Sequence, residues 1–307
     1  MHPAMRPRSF TLLALSLGPF WVGALAACSG SSGNGSSAGS HAGPDAGDAS
    51  VGGSRGGDAM AVDGGDSGNP SPSLPPGSNF DLSFWELDEP VGPAGDPTTI
   101  SSTRLEAGYQ DSYFFTDPDD GAMTFFDPED GVPTANSSYP RSELRELNTD
   151  GSDANWAPTG TNTLSATVEV QSVPDDVCVG QIHIGSPLPD SGAAASTKPL
   201  LELFYRANGE IDVGIESTPA GDDEVDTMLA TVPIGTKFSY VIELTGSPSG
   251  GATIAITIDG STMTFPMPSG FVGLGEYFKA GDYDQSAGDA GIGATVKFYA
   301  LVVSHSP

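Results

Sequence analysis

Cysteine is nearly missing from this 307-residue chain; Cys28 and Cys178 are the whole supply. That excludes a disulfide-stapled scaffold and any cysteine-cluster metal site. Positive charge is scarce as well, with 11 Lys and Arg against 40 Asp and Glu and a formal net charge of -29. Such a chain has no basic face to lay along a phosphate backbone, so general nucleic-acid binding is excluded. Hydrophobic residues make up only 37%, which implies that part of the length is not packed core. No amphipathic helical period persists beyond about three turns.

What is there divides into three stretches. Arg6 and Arg8 precede an apolar run over residues 10–27, which ends in Leu25-Ala26-Ala27-Cys28. A short apolar run closed by small residues is the pattern of a secretory signal, and this one is at the short end for spanning a bilayer. The Cys directly after Leu-Ala-Ala resembles the lipobox of bacterial lipoproteins. That resemblance implies that residues 1–28 are a lipoprotein signal, that Cys28 is lipidated, and that the protein crosses the inner membrane to be anchored in the cell envelope, the outer membrane being the expected site. Residues 29–78 are rich in Gly, Ser, Ala, Asp and Pro with almost no large apolar side chains. Such a segment buries too little to offset its ordering entropy and reads as a tether. With Cys28 lipidated, Cys178 has no intramolecular partner and reads as a small buried strand residue.

Residues 79–307 read as one all-β domain. Runs such as 164–170 (LSATVEV), 179–184 (VGQIHI), 200–205 (LLELFY), 238–244 (FSYVIEL), 253–258 (TIAITI) and 295–303 (TVKFYALVV) alternate apolar and polar residues between Gly, Pro, Asn and Asp. Period two between turn residues is the strand signature, and many short strands indicate a sandwich, jelly roll or barrel. Asn208-Gly209 marks a hairpin turn.

Three segments carry chemistry. In Tyr139-Pro140-Arg141-Ser142-Glu143-Leu144-Arg145-Glu146-Leu147, strand alternation puts Arg141, Glu143 and Arg145 on one face. Two guanidinium forks on one face match sugar carboxylates. In Gln181-Ile182-His183 the amide and imidazole share a face while Ile182 packs inward. The other histidines, His2, His41 and His305, lie in the signal, in the tether and beside the C-terminus. His183 is therefore the candidate for acid–base work near neutral pH. In the segment EYFKAGDYDQ (276–285), Tyr277 and Lys279 share a face, and Ala280-Gly281 breaks the pattern to present Tyr283. Three of the eight basic residues from Asn79 onward (Arg141, Arg145 and Lys279) fall in these segments. A cleft that gathers the few cations can hold a polyanion whatever the net charge.

Taken together, RSELREL, QIH and YFKAGDYDQ resemble the three signature regions of the family 7 polysaccharide lyases, the alginate lyases. The resemblance spans residues 79–307. It implies a β-jelly roll (a concanavalin A-like sandwich) with an open concave groove, alginate as the polysaccharide partner, β-elimination as the reaction, a monomer, and no cofactor or metal. Carried over position by position, it implies catalytic roles for Arg145 (with Arg141 open as the alternative), Gln181, His183 and Tyr283. Arg141, Glu143, Tyr277, Lys279 and Gln285 become substrate-binding. Ile182 in the middle of QIH implies a tilt toward guluronate-containing blocks. Asp284 stands where family members usually have Asn and Asp282 occupies the variable position before the tyrosine, which places two extra carboxylates near a site for a polyanion, with weaker binding or a narrower subsite preference as the expected result. Other readings are a non-catalytic carbohydrate-binding jelly roll and a lyase acting on another polyuronate such as glucuronan. A glycoside hydrolase would need two positioned carboxylates, and no ExDxE-like cluster accompanies Glu143.

Overall fold

The computed structural model describes residues 69–221, 223–247, 250–288 and 290–307, almost all of it strand and turn. The signal, most of the tether, and Cys28 lie outside the described residues. In chain order the strands are β1 (Trp85–Asp88), β2 (Thr99–Ile100), β3 (Phe114–Thr116), β4 (Met123–Pro128), β5 (Ser142–Glu146), β6 (Gly160–Ser172), β7 (Asp176–Pro187) and β8 (Pro199–Arg206). They continue with β9 (Glu210–Glu216), β10 (Glu224–Thr231), β11 (Phe238–Gly246), β12 (Ala252–Ile258), β13 (Ser261–Pro266), β14 (Leu274–Asp284) and β15 (Gly293–Ser306). Two short helices, α1 (Pro76–Asn79) and α2 (Ser102–Glu106), precede and follow the first strands.

Period-two sequence becomes a two-layer sandwich because each strand has one apolar edge to hide. β11 buries every second residue from Phe238 to Leu244. One sheet runs β10-β9-β8-β7-β14-β5-β1-β2 and the other β13-β12-β11-β6-β15-β4-β3, with antiparallel pairing. Long-range neighbours interleave with hairpins in both sheets, which is the jelly-roll arrangement. Leu144, Ile182, Phe278 and Ala280 of the first sheet and Val168, Ile242 and Phe298 of the second form the fully buried middle layer. Cys178 is buried in β7, as a small strand residue should be. The Asn208-Gly209 pair closes the β8–β9 hairpin, with the Gly209 N–H donating to Arg206 O at 2.8 Å.

Two contacts pin the central strands from inside. The Tyr240 hydroxyl crosses the core to donate to Val179 O (2.8 Å), and it fits because Gly180 has no side chain: a Cβ there would lie 2.9 Å from the Tyr240 hydroxyl oxygen. Glu146, on the inward face of β5, accepts from Trp156 Nε1 (2.9 Å) and the Phe278 N–H (2.8 Å) and lies 2.7 Å from His305 Nε2. One carboxylate thus ties β5, β14 and the last strand together.

The last residues of the expected tether make contacts of their own. The Asn79 side chain accepts from the Ser71 N–H and donates to Ser71 O, both at 2.9 Å, and Pro76 is buried. Prolines at 70, 72, 75 and 76 restrict the unfolded chain, so little entropy is lost in docking this stretch on the domain.

The ladder between β14 and β7 shifts register between Ala280 and Tyr283. Gly281 takes φ +154 there, and a Cβ on it would lie 2.7 Å from both Glu143 Cα and Ser142 O. Both obstacles are backbone, so the strand cannot yield cheaply. Gly281→Ala is expected to lower the melting temperature by several degrees and to cut turnover, read by calorimetry and by activity on the same sample. Wild-type values for both would show that the bulge does not depend on glycine.

Candidate active site

β14 lies between β5 and β7, which brings the three sequence segments onto adjacent strands. In register, Arg145 faces Lys279, Lys279 faces Gln181, and Tyr277 faces His183. Arg145, Gln181, His183, Tyr277 and Lys279 thus share one face of the sheet, and Leu144, Ile182, Phe278 and Ala280 fill the core on the other.

A single carboxylate organises the outward face. Glu143 is fully buried; Arg141 reaches it at 3.1 Å, Lys279 at 2.5 Å, and Gln181 Nε2 donates to it at 2.5 Å. Burial alone would push its pKa up, but the two cations and the amide win and hold it below the ordinary value. Glu143 was expected to bind substrate. Its oxygens are instead committed to protein donors, and a polyanion would be repelled by it. Lys279 is likewise only 3% exposed, with its ammonium against Glu143 rather than free in the groove.

A second group is a stack. The His183 ring lies 5.1 Å from Tyr277 at 27°, and the Arg145 guanidinium sits 4.3 Å from the centre of the Tyr277 ring. His183 Nδ1 is 3.0 Å from Ile184 O. A carbonyl oxygen only accepts, so Nδ1 carries the proton and Nε2 keeps its lone pair. Desolvation first, and then the nearby Lys279 and Arg141 charges, pull the imidazole down to about pKa 3. His183 is therefore held neutral, with the Nε2 lone pair unprotonated.

Tyr283 completes the face. The Arg141 guanidinium lies over its ring at 3.9 Å, and its hydroxyl is 2.8 Å from Ser137 Oγ, on the loop before β5. Burial raises the phenol pKa, partly offset by Arg141. The two arginines differ in their commitments. Arg145 is engaged by Asp153 at 2.7 Å and Glu86 at 3.4 Å. Arg141 acts electrostatically on both His183 and Tyr283, and its Nε has no partner. Sequence favoured Arg145 for charge neutralisation with Arg141 open as the alternative; Arg141 is the one that overlies Tyr283.

Gln285 follows the end of β14. Its N–H donates to Asp176 O at 3.0 Å, and its side-chain nitrogen is covered without a partner, so the contacts linking the other residues do not extend to it. Asp282 and Asp284 do not enter the groove. They flank Tyr283 in sequence, so alternation turns them to the opposite face, where both are fully buried. There the Asp284 N–H donates to Asp127 of the other sheet at 3.0 Å. The expected penalty on polyanion binding has no basis at these positions.

Sequence reasoning missed Ser137, a loop residue with no periodic signal. It also missed Glu202, which faces Gln181 across β7 and β8. Burial and then Glu224 raise Glu202 to about pKa 8. The LLELFY alternation was the available signal, but only pairing puts Glu202 beside Gln181.

The alginate lyase family model (Alginate_lyase2) matches residues 80–305. An alginate lyase of Klebsiella pneumoniae is 29% identical over 296 residues, covering 75% of this chain and 91% of that protein. The crystal structure of alginate lyase A1-II', a member of polysaccharide lyase family 7, superposes with TM-score 0.65 and 36% identity over 75% of this chain and 98% of that one. A form of A1-II' with one histidine changed to asparagine and one tyrosine to phenylalanine, in complex with substrate (GGMG), gives TM-score 0.66 and 35% identity over 76% and 97%.

The buried acids make a pH prediction. Burial raises Asp127, Asp282 and Glu276 well above the ordinary carboxylate value. A carboxyl group with a raised folded-state pKa contributes stability that is complete below its unfolded value and is lost as pH climbs toward the folded one. The melting temperature should therefore fall between pH 5 and pH 9, and Asp282→Asn should flatten that fall. A melting temperature that rises over this range would contradict it.

Proposed function

The chain belongs to the alginate lyase family, and on that premise we propose which of its side chains carry the reaction. The protein is a polysaccharide lyase that cuts alginate by β-elimination and leaves 4,5-unsaturated uronate ends. The difficulty of that reaction is electrostatic. H5 is acidic only if the adjacent C6 carboxylate can take up more charge as the proton leaves. Arg141, with one N–H of Gln181, is assigned to that carboxylate. The observation that supports this most is that Arg141 lies at once over Tyr283 and against the Glu143 cluster holding Gln181 and Lys279.

For guluronate, H5 and O4 lie on opposite sides of the ring. His183 Nε2 takes H5, the C4–O4 bond breaks as the C4–C5 double bond forms, and the Tyr283 phenol gives its proton to O4. For mannuronate, with H5 and O4 on the same side, Tyr283 serves both steps. The raised phenol pKa keeps the proton available for O4. The tautomer and neutrality of His183 suit a base. That a substrate complex of A1-II' was obtained with a histidine and a tyrosine replaced is in keeping with this division. Arg145 and Tyr277 are assigned to the neighbouring sugar, Lys279 to the field over the groove, and Glu143 to positioning. Gln285 is left as a groove-end contact. Ile182 is taken as tilting preference toward guluronate-containing blocks, through its packing beneath Gln181 and His183.

The assay is ultraviolet absorbance of the unsaturated uronate on block polymers. His183→Ala and Tyr283→Phe should each lower kcat by about 100-fold or more, with His183→Ala hurting polyguluronate most. Arg141→Ala should cost more than Arg145→Ala; the reverse order would return the principal role to Arg145.

We propose further that the enzyme works as an envelope-anchored monomer, held by lipid on Cys28. Replacing Cys28 with Ser should move the protein from the membrane fraction to the soluble fraction, scored by immunoblot. Continued anchoring would rule out the lipid at that residue.

A further inference from the structure

We propose that Ser137 is a positioning residue for Tyr283, redirecting its hydroxyl proton when the phenol changes protonation state. This rests on the reading of Tyr283 as the group that hands a proton to O4. Ser137 Oγ has three neighbours: the Tyr283 hydroxyl at 2.8 Å, Tyr139 O at 2.8 Å, and the Tyr139 N–H at 3.1 Å. The carbonyl cannot donate and Ser137 owns one proton. With that proton on Tyr139 O, Ser137 Oγ accepts from the phenol and from the Tyr139 N–H. In the resting state, then, the phenol proton is aimed at Ser137.

Once the phenol has given its proton to O4, the geometry reverses. Rotation about the Ser137 Cβ–Oγ bond turns the hydroxyl from Tyr139 O to the phenolate, forming a charge-assisted hydrogen bond stronger than the neutral one it replaces. Water returns the lost proton before the next turnover. The hydroxyl can do this because its loop is held in place: the Ser137 N–H donates to Thr134 O (3.0 Å), Thr134 bridges to Gly95, and the Val132 N–H donates to Pro90 O (2.7 Å). The other groups acting on Tyr283 are charges that cannot follow its proton. Arg141 lies over the ring, while Glu143 from β5 and Glu202 from β8 oppose the phenolate. Cys178, opposite Tyr283 on β7, is buried. Among the described residues, Ser137 is the hydrogen-bond partner of the Tyr283 hydroxyl.

Removing the hydroxyl takes a donor from the phenolate and so raises the Tyr283 pKa. The limb of the pH–rate profile governed by Tyr283 then moves to higher pH, whether the phenol acts as acid or base. The experiment measures kcat, KM and the pH profile for wild type, Ser137→Ala, Ser137→Thr and Tyr283→Phe on polyguluronate and polymannuronate, with folding checked by circular dichroism. Ser137→Ala should lose about tenfold in kcat with KM little changed, and the limb should rise by about one pH unit. Ser137→Thr should restore both. Wild-type kcat and profile in Ser137→Ala would overturn the proposal. So would a loss confined to KM, or a folded Ser137→Thr as impaired as Ser137→Ala. If Tyr283→Phe turns over normally, the assignment of Tyr283 fails first and the role of Ser137 goes with it. A dead Tyr283→Phe beside an unaffected Ser137→Ala would remove Ser137 alone.

Discussion

The site depends on keeping one carboxylate ionised inside the protein. Glu143 has no exposed surface, and a lone charge there would be expelled or protonated. Arg141, Lys279 and Gln181 come from three different strands or their flanks, and each has a reason to meet at it. The pull is mutual: an unpaired ion left in such a place costs about 3–5 kcal/mol. Two cations against one anion leave a net positive charge on this part of the face. The carboxylate thus spares the cations from repelling each other before substrate arrives, without cancelling their attraction for a uronate.

Much of the remaining charge is arranged so that it does not compete. Arg206 is tied to Asp176, Asp212 and Asp226, and Lys297 to Asp117 and Asp120. Lys237 lies over the Tyr299 ring at 3.3 Å. With these cations engaged, the excess that a polyanion can feel is concentrated on β5, β7 and β14, which is how a chain of net charge -29 handles an anionic polymer. The same cations that attract the carboxylate help hold His183 neutral.

Alternation divides the labour between the two faces of the central strands. Outward positions carry the chemistry, while inward ones include Leu144, Ile182 and Phe278 along with polar anchors such as Glu146. The exception is the bulge at Gly281, where the pattern is interrupted just before Tyr283. Interrupting the ladder there aims one side chain without disturbing the core beneath it.

Strand alternation and turn residues were enough to establish an all-β domain, the shared face of Arg141, Glu143 and Arg145, and the common face of Gln181 and His183 around an inward Ile182. These are local properties, set by a side-chain period that does not depend on partners. Tertiary structure alone decided that β14 lies between β5 and β7, which turns segments far apart in the chain into one face. It also decided that Glu143 is an internal counter-ion, that Asp282 and Asp284 face the core, that Arg141 rather than Arg145 overlies Tyr283, and that a loop serine meets its hydroxyl. Each of these depends on which strands are neighbours and on how deeply a charge is buried, and neither burial nor pairing is encoded in the spacing of residues along the chain.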